Sequence, residues 1–481
     1  MASYFPTQGN PENPSGLPRR GAPSPQGKIS GQNIKRNQMP AMNRLLCCLI
    51  LLTLSSCSQD DGPGYQEPYV PDPKEPKEEL SDEALLDLVQ QQTFGYFWDF
   101  AESTSGMARE RSQDDAYGGQ SPYIVTTGGT GFGLASFPAA VERGWITREQ
   151  ALQRLDRILD FLEKVPTYHG AFSHWYHTGT GSTQAFSEFD NGGDLVETAF
   201  LIQGLLICRA YFEDPAIDSR ITSIWENVEW DWYTQGENTL YWHWSPNHGF
   251  RMNMQIKGWN EALIAYVLAA SSPTHPVSAE VYHQGWASGG DMVNNRMHYG
   301  LNLPLGPAFG GPLFFSHYSF IGLDPRNLED RYADYWTQNE HHTLINYEYV
   351  QDNPKGYEGY SEESWGLTAS DSYEGYAAHS PTNDLGVISP TAALSAFPYT
   401  PEKSMRALRH FYYDLGEELW GPYGFYDAFS IEHDWFSDGY LAIDQGPIVA
   451  MIENYRTGLL WDLFMSNEEV KEGLDKLEFN Y

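Results

Sequence analysis

From residue 81 to the end, apolar positions recur at the three- and four-residue intervals of helices, and two-residue alternation is rare. Ser81-Asp-Glu provides a cap for a helix over 84–100. Thr147-Arg-Glu-Gln150 has the spacing of a capping box, and Leu152, Leu155, Ile158, Leu159 and Leu162 follow at helical intervals. The same periodicity predicts helices over 194–212, 259–270, 326–350, 389–397, 401–419 and 446–464. Some, such as ALIAYVLAA at 262–270, are apolar on nearly every face and are expected to be enclosed on all sides; others carry one polar stripe. Buried helices alternating with half-exposed ones predict an all-α fold with an inner ring inside an outer one, and disfavour an all-β or doubly wound sheet. The segments between helices are long and rich in Gly, Trp, Tyr, His and Asn, which marks them as more than connectors. No fixed-period repeat and no composition break divides 81–481, so one domain is expected there.

The first 80 residues differ in kind. Residues 1–41 hold seven prolines and little apolar content, the composition of a disordered extension. Met42-Asn-Arg44 is followed by an apolar run from Leu45 to Leu54 and then Ser-Ser-Cys57. A basic start, a short apolar stretch and small residues before a cleavage point make 42–56 a secretory signal. Its end resembles a bacterial lipobox, with Cys57 lipidated as the first mature residue. Residues 1–41 are therefore either an upstream start assigned in error or an unusual extension. The acidic pair Asp60-Asp61 behind Cys57 resembles an export tag of Gram-negative surface lipoproteins, so an outer-membrane location is expected, facing the cell surface or otherwise the periplasm. Residues 57–80 read as a stiff, solvated tether, because the stretch after Cys57 carries five prolines and seven acidic residues. Membrane contact is expected through that anchor alone; no apolar run approaches the roughly 20 residues of a spanning helix.

Charge narrows the partners. The chain of 481 residues has 29 basic and 64 acidic groups, and the segment from Cys57 onward has a net charge of −40. Phosphate backbones need clustered Lys and Arg, so nucleic acid is excluded as a partner. Cys47 and Cys48 leave with the signal and Cys57 carries lipid, so Cys208 is a single thiol in an apolar run, expected to be inert core. Nothing suggests a second subunit, and a monomer is expected.

Three groups of carboxylates stand at helix starts. In Asp190-Asn-Gly-Gly-Asp194-Leu-Val-Glu197, Asp194 and Glu197 are three apart and share a helix face. Asp-x-x-Glu is also a capping box, but the double glycine admits a ligand to the backbone and Asp190 adds a third acid. Gly258-Trp259-Asn260-Glu261 runs straight into ALIAYVLAA. Glu261 is either a first-turn acid favoured by the helix dipole or a general acid, whose pKa burial or the Asp194/Glu197 pair would then have to raise. Asp444, ahead of the run 448–452, is either an N-cap or a base that activates water. Acids meeting at one end of an inner ring would suit glycoside cleavage, which needs one protonated and one ionised carboxyl across the scissile bond. Aromatic rings supply platforms for sugar faces. Phe172-Ser-His174-Trp175-Tyr176-His177, Tyr241-Trp-His-Trp244, Trp336 and Ser370-Asp371-Ser-Tyr373-Glu374-Gly-Tyr376 offer them, though such rings also build cores. His174, Trp175, Trp259, Asn260 and Tyr373 are the candidate substrate contacts. No HExxH, GxSxG, phosphate loop or dinucleotide fingerprint occurs, so no metal or cofactor is expected. The acidic balance favours a neutral glucan over a uronate polymer.

At these segments the chain resembles the glycoamylase-like family, and within it the bacterial endo-β-1,2-glucanases. The resemblance runs from about Leu86 to Phe464. Its blocks are Val125-Thr-Thr-Gly-Gly-Thr-Gly-Phe132, Asp190–Glu197, Gly258–Glu261, Ser271-Ser-Pro-Thr-His-Pro276, Pro312-Leu-Phe-Phe-Ser-His-Tyr318, Tyr335-Trp-Thr-Gln-Asn339, Gly366-Leu-Thr-Ala-Ser-Asp371 and Asp444-Gln-Gly-Pro447. It implies an (α/α)6 barrel and internal hydrolysis of β-1,2-glucan to sophoro-oligosaccharides with anomeric inversion. The family's acid falls on Glu261, and its other essential carboxylates on Asp190, Asp194 and Glu197. Asp444 is the best match for its base. A same-fold transglycosylase, an exo-acting enzyme on another linkage, and a non-catalytic glycan-binding lipoprotein stay open as alternatives.

Overall fold

The protein is described here by a computed structural model covering residues 78–481. The extension 1–41, the signal 42–56, Cys57 and the tether up to residue 77 lie outside the described residues. Within 78–481, fully buried and half-buried helical elements alternate along the chain. The buried ones are Thr127–Ala135, Leu195–Phe212, Leu263–Ser271, the short turns Leu313–Ser316 and Ser319–Ile321, Pro390–Leu394 and Ala442–Arg456. Half-buried partners precede each one: Asp82–Trp98, Arg148–Leu162, Pro215–Glu226, Ala279–Val281 with the wide turn Tyr282–Trp286, Tyr335–Asp352, and Pro401–Arg409 with the wide turn His410–Asp414. Six inner elements, each with an outer one, make an (α/α)6 barrel. The helices Leu459–Met465 and Glu468–Lys476 then pack outside Leu195–Phe212 and Leu263–Ser271. Strands are confined to one three-stranded and five two-stranded antiparallel sheets in the loops, among the described residues.

Local chemistry accounts for the helix starts. Ser81 Oγ accepts from Ala84 N at 3.3 Å. Thr147 and Gln150 complete the capping box in both directions, at 2.7 and 3.2 Å. The helix expected from 259 begins only at Leu263, because Asn260 Oδ1 takes the Ala262 amide at 2.9 Å and closes a turn first. The helix expected from 326 begins at Tyr335, with Asp334 capping Thr337 N at 2.7 Å. The span 446–464 is two helices, Ala442–Arg456 and Leu459–Met465, broken at Gly458, whose φ of 73° is the left-handed region that glycine tolerates. Leu195–Phe212 is long and apolar enough to cross a membrane, yet it is buried within the barrel. Cys208 lies on it with no exposure, its thiol donating to Leu134 O at 3.2 Å.

One inner helix has no apolar periodicity to announce it. Thr127–Ala135 reads TGGTGFGLA, and four of its nine residues are glycine. Their role is close approach. A Cβ on Gly131 would stand 2.2 Å from Phe200 O, and one on Gly204 would stand 2.0 Å from Gly131 O. The two inner helices therefore touch backbone to backbone, and neither contact can be relieved by a side-chain rotation. Gly131→Ala is expected to lower stability by about 3 kcal/mol, read as a drop in the urea midpoint; an unchanged midpoint would contradict this packing.

Candidate active site

The first turns of the inner helices meet one another. Gly128 N donates to Glu197 Oε2 at 2.7 Å, a Cβ on Gly129 would lie 2.7 Å from Ala442 Cβ, and Thr391 Oγ1 donates to Asp444 O at 2.7 Å. Carboxylates from distant segments collect around these starts in two groups.

The first group is Asp190, Asp194 and Glu197 around His174. Asp194 caps its helix: Oδ1 accepts from Val196 N at 3.0 Å and Glu197 N at 2.9 Å, and Oδ2 from Trp242 Nε1 at 3.2 Å. Glu197 does not complete the capping box. The Asp194 amide bonds Phe172 O instead, and the Glu197 carboxylate turns across the ring to Gly128. The capping and the functional readings of this segment thus fall to different atoms. His174 is delivered by the strand Trp175–His177, which pairs Trp175 with Thr126 immediately before the inner helix Thr127–Ala135. Its Nδ1 lies 3.3 Å from Asp194 Oδ2 and 3.6 Å from Asp190 Oδ2, and its Nε2 lies 3.7 Å from Glu197 Oε1. Burial alone would discharge this ring, but Glu197, with Asp190 and Asp194, outweighs it and holds the pKa well above the ordinary imidazole value. Burial raises the Glu197 carboxyl; the His174 charge opposes that, and Asp194 and Asp190 reinforce it. His243, paired with Asp194 across a two-residue ladder, sits with Nε2 3.2 Å from Asp190 Oδ1, and burial lowers its pKa. The ligand atoms of His174, Asp190 and Asp194 lie within 4.8 Å of one another. A protonated imidazole has no lone pair for a metal, so the set fits an internal ion cluster better than a cation site.

Glu261 lies beside this group. Burial lifts its pKa to about 7, and the charges of Asp194 and Glu197 push the same way. Its Oε2 is buried and has no hydrogen-bond partner in the protein. Its backbone carbonyl accepts from Ser319 Oγ, which in turn accepts from Ile264 N at 3.0 Å, so the neighbouring inner element fixes the Glu261 backbone.

The second group surrounds Asp444. It is not an N-cap: Leu441 holds that position and Asp444 stands in the first turn with its side chain directed to tertiary partners. Tyr318 Oη donates to Oδ1 at 3.3 Å. Asp427 and Asp371 lie close by. Asp371 is paired with Arg111 at 3.3 Å, and Arg111 also holds Glu110 at 3.0 Å. Burial raises the Asp444 pKa, Asp371 adds to it, and hydrogen bonds from Asp427 and Tyr318 lower it. The Tyr318 hydroxyl feels the charges of both Asp444 and Glu261, so both groups lie near it.

Aromatic side chains pack around the two groups. His174 stacks on Phe186 at 4.5 Å, and Trp175, itself buried, meets Phe186 at 5.0 Å and Tyr117 at 5.1 Å. Tyr373 stacks on His433 at 3.9 Å, and Tyr376 is 38% exposed above the Asp444 group. Trp259 is placed differently. It is 4% exposed and packed among Trp286, Phe320, Tyr335 and His342, so it supports the Asn260–Glu261 turn from the core and presents no open face. Asn260 is buried too, with Oδ1 engaged in that turn. Sequence reasoning did not single out Gly128, Trp242, His243, Tyr318, Arg111 or Asp427. Gly128 and Tyr318 lie inside the blocks quoted above, and Trp242 and His243 in a flagged aromatic segment; Arg111 and Asp427 carry no local signal.

Comparison with known proteins is consistent with this architecture. A family model described as "Glycoamylase: Putative glucoamylase" matches residues 253–468. An exo β-1,2-glucooligosaccharide sophorohydrolase (non-reducing end) of Parabacteroides distasonis is 45% identical over 428 residues, 83% of this chain. The chain spans 58% of that relative's length. The endo-β-1,2-glucanase from Chitinophaga pinensis, solved with sophorotriose and glucose, superposes with a TM-score of 0.82 at 54% identity, covering 84% of this chain and 99% of that one. A chain from Bacteroides uniformis, described as a "putative glucoamylase", gives 0.81 at 53% identity, over 84% and 99% of the two chains.

The charge state of His174 is directly measurable. Its raised pKa contributes stability that is full below about pH 6.5, the unfolded value, and is lost as pH rises through the folded one. Nitrogen NMR of the ring is expected to show it doubly protonated at pH 7.5, and Glu197→Gln to move its titration downward. A neutral ring at pH 7 in the wild type would refute the ion cluster.

Proposed function

Because the chain belongs to the glycoamylase-like family, we propose that it is a glycoside hydrolase that cleaves β-1,2-glucan internally to sophoro-oligosaccharides by inverting acid–base hydrolysis. The observation that carries this reading is Glu261: a buried carboxyl, held protonated near neutral pH, with an oxygen that no protein group engages. A general acid needs that combination. Glu261 donates its proton to the glycosidic oxygen. Asp444 takes a proton from the attacking water on the opposite face, directly or through an intervening group. Asp190, Asp194 and Glu197 accept hydroxyls of the sugar at the cleavage point, and the charge on Asp194 and Glu197 keeps Glu261 protonated. His174, Trp175 and Tyr373 face or flank the sugar; Trp259 and Asn260 fix the turn that carries Glu261.

The internal mode of cleavage is favoured by sequence: identity is 54% to the Chitinophaga pinensis endo-acting relative, over 99% of that chain, and 45% to the exo-acting one. Identity to that exo-acting relative is still 45%, which favours release of sophorose from the non-reducing end as the second reading. We place the enzyme on the outer membrane through lipid on Cys57, as the lipobox-like Leu54-Ser-Ser-Cys57 suggests.

On linear β-1,2-glucan, early products are expected to form a ladder of oligosaccharides with the α anomer at the new reducing end; sophorose alone would establish the exo mode. Glu261→Gln and Asp444→Asn are each expected to lower kcat/KM by about 100- to 10,000-fold with folding intact. Since Glu261 must keep its proton, wild-type kcat/KM is expected to fall as pH rises past about 7. Undiminished turnover by folded Glu261→Gln would remove it as the acid, and binding without hydrolysis by the wild type would favour a glycan-binding role. Cys57→Ser is expected to abolish incorporation of labelled palmitate and release the protein from the membrane fraction.

A further inference from the structure

Asp427, in the second carboxyl group, has no role in the scheme above and, unlike Asp371, no cation beside it among the described residues. It is buried, and its main chain is pinned on both sides: its amide donates to Gly439 O at 3.0 Å and its carbonyl accepts from Ser389 Oγ at 2.7 Å. Oδ2 accepts the Asp371 amide at 2.7 Å. The other oxygen, Oδ1, is buried with no donor, and Oδ2 of Asp444 is in the same position. Ser389 and Thr391, on one turn, hold the carbonyls of Asp427 and Asp444, so the two buried carboxyls with unpartnered oxygens are neighbours, and each shifts the pKa of the other. Two ionised carboxylates offer only lone pairs to each other, so the contact requires one shared proton.

The surroundings say which residue holds it. Asp444 stands in the first turn of the Ala442–Arg456 helix, where unpaired amides favour negative charge, and it accepts from Tyr318. Asp427 has one amide, that of Asp371, and, among the described residues, no helix start or hydroxyl donor. The nearby cation, Arg111, contacts Glu110 and Asp371. The remaining titratable groups near the pair are Asp371 and Tyr376 from the 369–378 hairpin, Tyr318 and, next to Tyr318, Glu261. Asp371 and Asp444 both act to raise the Asp427 pKa on top of burial.

We propose that Asp427 is a positioning residue, protonated at neutral pH, which donates its proton in a hydrogen bond to Asp444 and so keeps Asp444 ionised and oriented as the base. This rests on the assignment of Asp444 as base. In each turnover Asp444 takes a proton from water and returns it to solvent with the product, while the proton on Asp427 stays in place. Each carboxylate oxygen has two acceptor positions, so the bonds from Asp427 and Tyr318 leave Asp444 room for a water.

Asp427→Asn keeps a donor toward Asp444 and removes the titrating proton; Asp427→Ala removes both. With Asp427→Asn, kcat/KM and the acid limb of its pH profile are expected to stay near those of the wild type. With Asp427→Ala the acid limb is expected to move up by about one pH unit, and kcat to fall roughly tenfold or more with KM nearly unchanged, because a buried carboxylate loses its donor. A folded Asp427→Ala with a wild-type acid limb, or an equal shift in both variants, overturns the proposal. Infrared difference spectra at neutral pH separate it from the functional reading: wild type minus Asp427→Asn should show one protonated-carboxyl band. That band in a protein that hydrolyses no glucan would sink the function and leave the shared proton standing. No band in an active enzyme would sink the shared proton alone.

Discussion

Burying three carboxylates around a single imidazolium is the constraint on which the site depends. Asp190, Asp194 and Glu197 are all under a tenth exposed, and His174 is the cation in contact with them among the described residues. Two of the acids are partly compensated by neutral donors: helix amides and Trp242 for Asp194, the Gly128 amide for Glu197. The compensation is incomplete, and the excess negative charge spills onto the next carboxyl. Glu261 is where it arrives, and burial of Glu261 has already disfavoured its ionised form.

The barrel makes this arrangement possible by what it does at the inner-helix starts. First turns present unpaired amides, which stabilise negative charge without adding a positive side chain. Asp194, Glu197 and Asp444 all use that position. The price of bringing such starts together is a set of very close backbone contacts, and the glycines at 128, 129, 131 and 204 permit them. A side chain at 128 would collide with the Glu197 carboxylate itself, at 2.6 Å, so packing and electrostatics meet at one residue.

The two acid groups settle their charge in different ways. Around Glu197 a histidine supplies a full positive charge. Around Asp444 the arginine is committed to Glu110 and Asp371, and the deeper pair is left to share a proton. One arrangement adds to the burial that raises the Glu261 pKa; in the other, hydrogen bonds from Asp427 and Tyr318 oppose the burial that raises that of Asp444.

The sequence by itself determined the alternation of buried and half-buried helices, because apolar periodicity is a local record of burial. It also determined the caps at Ser81 and Thr147 and which carboxylates stand at helix starts, and left Asp194 open between a cap and a functional acid. It did not predict Thr127–Ala135, whose glycines carry no apolar periodicity, nor the elements at 215–226, 279–286 and 313–321, and it joined 446–464 because the left-handed backbone at Gly458 leaves no apolar trace. Trp259, a candidate substrate contact by sequence, is buried in the core, since an aromatic beside an acid looks the same in sequence whether it faces a ligand or a core. Only the tertiary structure decided that His174, 16 residues before Asp190, stands between three acids, that Glu197 abandons its own cap for Gly128, and that Asp427 meets Asp444. These are contacts between segments far apart in the chain. Their energies come from desolvation and from the charges that desolvation brings together, and neither exists until the ring has closed.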